Sequence, residues 1–215
     1  MRILIADDHL MFRQGLRLLL ESQPDVEVIA EAGDGRTAVQ LAAEHSPDVI
    51  VMDVSMPDLN GIDATRQILA NAGEKSPKII ALSAHADEHF AQQMLAAGAR
   101  GYVLKVAAFP EMMEALSTVL AGKTYLSPAL PSAAKSAAAN DPAPSGRLSP
   151  REREILQLLA EGKAMKEIAA MLHVSIKTVE THRRTMMSKL GLFSVAELTK
   201  YAIREGVTSL EMPAH

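Results

Sequence analysis

Val49-Ile50-Val51-Met52-Asp53 carries four apolar residues into a carboxylate, and Met56-Pro57-Asp58-Leu59-Asn60-Gly61 follows. A short apolar run bounded by Pro, Asn and Gly has the length and punctuation of a strand buried on both faces. A carboxylate at the C-terminal end of such a strand, facing a loop, sits where open α/β sheets place their chemistry. Three further runs end in the same way. Arg2-Ile3-Leu4-Ile5-Ala6 leads into Asp7-Asp8, Lys78-Ile79-Ile80-Ala81-Leu82 into Ser83, and Gly101-Tyr102-Val103-Leu104 into Lys105. If parallel and adjacent, these strands bring three carboxylates, a hydroxyl and an ammonium to one edge of a sheet.

Helical spacing fills the intervals. Phe12, Leu16, Leu19 and Leu20 face inward over 9–22, and Ala38, Leu41 and Ala42 over 37–44. Further helices are predicted over 62–69, 87–97 and 109–121, and a short strand over 26–32. Five βα units predict an α/β fold, a doubly wound five-stranded parallel sheet covered on both faces. Residues 127–146 are biased to Pro, Ala and Ser, offer one Leu to pack, and read as a flexible linker. The remainder reads as an all-α, four-helix unit. Ser149-Pro150-Arg151-Glu152 and Ser194-Val195-Ala196-Glu197 are capping boxes, opening helices to about 161 and 204. Between them, helices over 165–172 and 175–190 flank a turn at His173-Val174. The expected organisation is a first domain over 1–126, a linker over 127–146, a second domain over 147–206 and a tail over 207–215.

Composition narrows the function. The 215-residue chain has no Cys, which excludes disulfides, thiolate metal sites and a cysteine nucleophile. Its apolar runs fall well short of the roughly 20 residues a membrane helix needs. The N-terminus reaches Asp7-Asp8 at once, unlike a signal peptide. The expectation is a cytoplasmic protein with no membrane partner. Residues 1–130 carry 10 basic and 17 acidic side chains, a balance of -7, while residues 147–206 carry 11 and 7, a balance of +4. The second half alone is suited to a polyanion. Aromatic content of 3% with no Trp argues against a stacking platform for single strands.

The strand-end groups suggest phosphoryl chemistry. Asp7, Asp8 and Asp53 repel one another unless a cation sits among them, and hard oxygen ligands without His or Cys at the strand ends favour Mg²⁺ over Zn²⁺. A carboxylate serves as a nucleophile, forming an acyl phosphate. Mg²⁺ and Lys105 would neutralise the transferred group, and Ser83 would donate to it. Taken singly, each residue has a plain structural use: Asp7 and Asp8 at a helix N-terminus, Ser83 in a turn, Lys105 in solvent. Agreement among all four strand ends weighs against that reading.

Residues 1–122 resemble the receiver domain of two-component response regulators. The stretches that carry the resemblance are Ile5-Ala6-Asp7-Asp8-His9, Pro47 to Asp53, Met56 to Gly61, Ser83-Ala84 and Gly101 to Lys105. The resemblance implies that Asp53 accepts phosphate from a phosphohistidine of a sensor histidine kinase. It also implies that Asp8, Asp53 and the Ser55 backbone carbonyl hold Mg²⁺, with Asp7 acting through water. Ser83 and Lys105 would contact the phosphoryl group, and Tyr102 takes the switch position, turning inward when Ser83 moves. Val106 stands where many receivers have Pro, so no cis peptide is expected there. Ser55 and His85 are expected to flank the attacking water and permit hydrolysis of phospho-Asp53.

On the 175–190 helix, Ile176, Val179, Met186 and Leu190 form an inward stripe with His182 packed at its edge. Lys177, Thr181, Arg184 and Ser188 form the opposite stripe, with Glu180 alongside. That face suits a major groove, and on its residues alone it equally suits solvent. Residues 148–206 resemble the LuxR-type helix-turn-helix of the NarL/FixJ subfamily. The matching stretches are Leu148 to Glu154, Leu158 to Gly162, Lys166 to Ala169, Val174 to His182 and Lys189 to Gly191. By that resemblance Glu180, Thr181 and Arg184 face bases of double-stranded DNA, and Ser175, Lys177, Thr178 and Lys189 contact phosphates. Ala164-Met165 and Val195 depart from the family's more polar residues. The function implied is a regulator whose DNA binding and transcription control depend on phosphorylation of Asp53, acting as a homodimer when phosphorylated, with RNA polymerase as a candidate partner. It would not be a turnover enzyme. The alternative is a DNA-binding regulator controlled through receiver contacts without phosphate.

Overall fold

The computed structural model describes residues 1–73, 75–84, 86–130 and 148–208. They divide into an N-terminal unit that holds the whole sheet and a C-terminal helical unit. His85, the linker beyond Leu130 and the tail beyond Thr208 lie outside the described residues.

The N-terminal unit alternates strand and helix as expected. Its strands are β1 (Arg2–Ala6), β2 (Glu27–Ala32), β3 (Val49–Asp53), β4 (Lys78–Ser83), β5 (Gly101–Leu104) and β6 (Tyr125–Leu126). Its helices are α1 (Leu10–Glu21), α2 (Gly35–His45), α3 (Gly61–Asn71), α4 (Glu88–Ala96) and α5 (Phe109–Leu120). The strands are parallel, in the order β2-β1-β3-β4-β5-β6. Every residue of β3 is buried, because β1 and β4 flank it and helices cover the sheet. Alternate residues of the strands (Ile3, Ile5, Val49, Val51, Ile80, Leu82 and Val103) share one cluster with Leu16 and Leu20 of α1 and Leu116 of α5. Leu4, Ile50, Met52, Ile79 and Ala81, on the opposite side of the pleat, are equally buried. The continuous apolar runs therefore serve two faces.

The structure revises three details of this unit. The expected five-stranded sheet gains a sixth strand at its edge, where Tyr125 and Leu126 pair with Gly101 and Tyr102. Two residues are too few to show a period of their own. Ordered packing continues past the expected boundary at 126. Ser127 is fully buried, its N–H donates to the Tyr102 carbonyl at 2.9 Å and its hydroxyl to the Glu111 carboxylate. Leu130 is also buried. The expected linker thus begins with residues that belong to the first unit. Leu19, assigned inward, is 47% exposed, because Leu16 and Leu20 occupy the side of α1 that faces the sheet.

The C-terminal unit comprises α6 (Pro150–Ala160), α7 (Met165–Met171), α8 (Ile176–Leu190) and α9 (Val195–Arg204). Both capping boxes form at Ser149 and Ser194. Ala164 before α7 has no side-chain acceptor, and Glu167 supplies half of such a box by accepting the Ala164 N–H at 2.7 Å. The turn between α7 and α8 places His173 at φ +53°, a left-handed conformation rare outside glycine. Ile155, Leu158, Ile168, Val179, Met186 and Leu198 lie in its core. Val179 and Met186 are buried as expected, but Ile176 is 45% exposed. It is the first residue of α8, and a helical stripe carries no information about where its cover ends. No helix among the described residues is long and apolar enough to cross a membrane.

Candidate functional site

The C-terminal ends of β1, β3 and β5 converge on one pocket, and glycine shapes its floor. The Gly61 N–H donates to the Val54 carbonyl at 2.9 Å, and a Cβ at Gly61 would lie 1.9 Å from the Asp53 carbonyl oxygen. The carbonyl oxygen of Asp53 thus leaves no room for a side chain at 61. Asn60 caps α3 beside it, its Oδ1 accepting the Asp63 N–H at 2.9 Å. The Met56 to Gly61 stretch therefore turns the chain sharply away from β3 and starts the next helix at once.

Asp7 and Asp53 are almost wholly buried. Lys105 Nζ lies 2.6 Å from Asp53 Oδ2 and 2.8 Å from Asp7 Oδ2. The Ser55 N–H donates to Asp53 Oδ1 at 3.2 Å. Beneath the ammonium, the Phe12 ring lies 5.2 Å away. Burial, and then the charge of Asp7, push the Asp53 carboxyl up from its ordinary 3.8 to about 7, against the opposing pull of Lys105 and the Ser55 N–H. Burial works to lower the Lys105 ammonium, but Asp53 and Asp7 together raise it above its ordinary value. Three carboxylates here face one ammonium, so the pocket is short of positive charge. The donors Asp7, Asp8, Asp53 and His9 lie within 4.8 Å of one another. Mostly oxygen donors around an excess of negative charge fit a divalent cation.

Ser83 and Tyr102 stand together. Both are buried, the two side chains hydrogen-bond, and burial pushes the Tyr102 hydroxyl up to about 12. Tyr102 is thus already inward while Ser83 is bonded to it, whereas the resemblance has it turn inward only when Ser83 moves. The structure also brings in residues to which the sequence reading gave no role. His9 Nδ1 lies 2.8 Å from Asp8 Oδ1 and 3.3 Å from Asp7 Oδ1. Arg13 donates to the Asp7 carbonyl and pairs with Glu31 at 3.1 Å, which fixes the β1 end. His9 is visible in the sequence directly after Asp7-Asp8. Arg13 gives no signal, since an Arg one turn into a helix is ordinary.

The helical unit presents a second surface. Lys177, Glu180, Thr181, Arg184 and Ser188 on α8 are exposed, as the stripe predicts. The Thr181 hydroxyl donates to the Lys177 carbonyl at 2.8 Å, within the helix. Ser175 accepts the Thr178 N–H at 3.1 Å, so it caps α8 as well as standing at its exposed N-terminus. Lys189 differs. Its ammonium lies 2.8 Å from both oxygens of the Glu152 carboxylate, which is buried and also accepts the Ser149 N–H at 2.7 Å. Burial works to raise the Glu152 carboxyl, but Lys189 and Ser149 outweigh it and hold the group below its usual range. Lys189 thus joins the end of α8 to the start of α6.

Known proteins resemble the chain in both parts. The response regulator receiver domain model matches residues 3–117, and that of bacterial regulatory proteins of the luxR family matches residues 146–202. Oxygen regulatory protein NreC of Staphylococcus aureus is 42% identical over 214 residues, spanning 95% of this chain and 98% of that protein. A LuxR-family two-component response regulator from Aurantimonas sp. SI85-9A1 superimposes with a TM-score of 0.56 at 38% identity, over 59% of this chain and 89% of that one. The RcsB response regulator of Salmonella typhimurium does so at 0.54 and 30% identity, over 94% of this chain and 97% of that one. RcsB has also been solved in complex with DNA.

Proposed function

The chain belongs to the two-component response regulators of the NarL/FixJ subfamily, a receiver joined to a LuxR-type helix-turn-helix, and from that premise we propose that phosphorylation of Asp53 controls its binding to DNA. The observation that carries the reading is the Asp53 carboxylate at the end of the central strand, with Lys105 Nζ 2.6 Å away. An Asp53 oxygen attacks the phosphorus of a kinase phosphohistidine, the P–N bond breaks, and the imidazole leaves carrying a proton. Asp53 must be ionised to attack, and Lys105 favours that form. Asp8, Asp53 and the Ser55 carbonyl would hold Mg²⁺, with Asp7 acting through water. Mg²⁺ supplies positive charge that eases ionisation of Asp53 and offsets the charge of the transferred group. Ser83 would leave the Tyr102 hydroxyl to donate to the phosphoryl group, with Tyr102 already inward behind it. By the family resemblance, Ser55 and His85 would permit hydrolysis of phospho-Asp53.

The helical unit reads DNA through α8 in the major groove, with Glu180, Thr181 and Arg184 at bases and Ser175, Lys177 and Thr178 at phosphates. Lys189 is a weaker candidate for a phosphate contact, because Glu152 engages it. The phosphorylated protein dimerises on two half-sites in the cytoplasm, and RNA polymerase is its candidate downstream partner. Before phosphorylation, the receiver docks over α8 and masks it. Support comes from the basic balance of residues 147–206 and from the family. The domain limits we propose are a receiver to Leu130 and a DNA-binding unit from Leu148.

The test is intact mass after incubation with a small phosphodonor and Mg²⁺, followed by DNA binding. One phosphate on the wild type, none on Asp53→Asn, and tighter DNA binding by the phosphorylated protein are expected. Phosphate on Asp53→Asn, or DNA affinity indifferent to phosphorylation, would overturn the reading.

A further inference from the structure

We infer that Glu180 reads a cytosine, through the amino group that this base presents in the major groove, and so sets the operator preference at one position of each half-site. The inference rests on the reading of α8 as the helix that enters the groove, and it names the base that one of its side chains selects.

The acidic side chains of the helical unit set Glu180 apart. Glu152 meets Lys189 at 2.8 Å, Glu154 meets Arg151 at 2.7 Å and Glu205 meets Arg204 at 3.4 Å. Glu161 accepts from the Gln157 amide at 2.8 Å, Glu167 from the Ala164 N–H at 2.7 Å and Glu197 from the Ser194 N–H at 3.0 Å. The Glu180 carboxylate has no hydrogen bond or ion pair among the described residues. Its own helix carries Lys177 one turn before it and Arg183 and Arg184 one turn after, and it pairs with none of them. The adjacent hydroxyl, Thr181, donates to the Lys177 carbonyl at 2.8 Å instead. Glu180 therefore stands exposed with its acceptor capacity unspent.

That position has a consequence on a duplex. Lys177 and Arg184 bracket Glu180 along α8, so drawing them against DNA carries the carboxylate in with them. Phosphates repel it. Within the groove only a donor on a base edge can meet it. Guanine presents N7 and O6 and thymine presents O4, all acceptors. Adenine presents its N6 amino group beside the N7 acceptor, which opposes a carboxylate. Cytosine presents the N4 amino group as a donor with no acceptor beside it on the same base. An acceptor-only side chain thus favours cytosine over the other three. Glutamine at the same place would carry a donor as well as an acceptor, which matches N7 and N6 of adenine.

The full chain, treated with a small phosphodonor and Mg²⁺, selects from a random duplex library at fixed salt, and the retained sequences are read. The wild type should hold cytosine at one position of each half-site, about fivefold or more over any other base. Glu180→Ala should lose the preference at that position and keep the others, and should bind random-sequence duplex about threefold more tightly, because a repelling charge is gone. Glu180→Gln should admit adenine there. Glu180→Ala that keeps every preference of the wild type, or that loses one for a base other than cytosine, would overturn the role of Glu180. If Arg184→Ala meanwhile loses a preference of its own, the reading of α8 stands. No enrichment by the wild type, or preferences unchanged in both Glu180→Ala and Arg184→Ala, would overturn α8 as the reading helix and Glu180 with it.

Discussion

In the pocket, Asp7 and Asp53 are buried and share one ammonium, whereas on α8 the side chains of Lys177, Glu180, Thr181 and Arg184 stand exposed to solvent. Charge in the first region is strongly coupled, because burial lengthens the reach of each charge. In the second, water screens each side chain from the next. The contrast predicts how the regions respond to substitution. Pocket variants should be all-or-none and non-additive, and α8 variants graded and close to additive.

The largest effect tests the coupled side. Asp53→Asn should abolish phosphate uptake by mass, and it should also stabilise the receiver. A carboxyl raised to about 7 in the folded protein, from an ordinary 3.8, leaves the folded state binding more protons. The carboxylate therefore lowers stability fully above pH 7, and less as pH falls toward 4. In cation-free buffer the melting temperature of Asp53→Asn should exceed that of the wild type at pH 8, and the gap should close by pH 4. A gap independent of pH would show that the folded protein does not raise the Asp53 carboxyl.

Arg184→Ala tests the graded side. It should weaken specific DNA binding by about 1–3 kcal/mol in a titration at fixed salt and relax specificity at one base position. Lys177→Ala should weaken all sequences alike and lower the salt slope by about one. Strong coupling between these two in a double-mutant cycle would break the comparison.

Lys189 stands between the two cases, since it is on α8 but engaged with a buried carboxylate. Lys189→Met should destabilise the helical unit by about 1–2 kcal/mol at pH 7. Glu152 is held below its usual range, so its contribution is present above about pH 4.5 and is lost as pH falls through the lowered value. Melting curves of wild type and variant should therefore differ at pH 7 and converge in acid. A smaller gain is expected from His173→Gly, which relieves a left-handed conformation worth about 1–2 kcal/mol less the entropy of glycine. Its melting temperature should rise by a few degrees, with DNA affinity unchanged.

The same contrast explains what the sequence disclosed. The parallel βα pattern and the pocket were legible because each apolar run is short, bounded and ends in a polar group, and parallel topology brings those ends to one edge. The capping boxes at Ser149 and Ser194 were legible because both partners lie within three residues. Leu19 and Ile176 were not, since periodicity marks a stripe without marking where the neighbouring element stops covering it. Nor was the engagement of Lys189, whose partner lies 37 residues away. His9 was in view, but only the turn of its side chain away from the helix cap reveals what it faces.

The helix proposed to read DNA is held by groups other than those proposed to do the reading. Val179 and Met186 anchor it from below, Ser175 closes its start, Gly191 ends it, and Lys189 fastens its last turn. The side chains of Lys177, Glu180 and Arg184 project away from these attachments. Their replacement leaves the scaffold intact, so duplicated copies of such a gene can diverge in operator preference by changing a few exposed positions, without first gaining stability to spare.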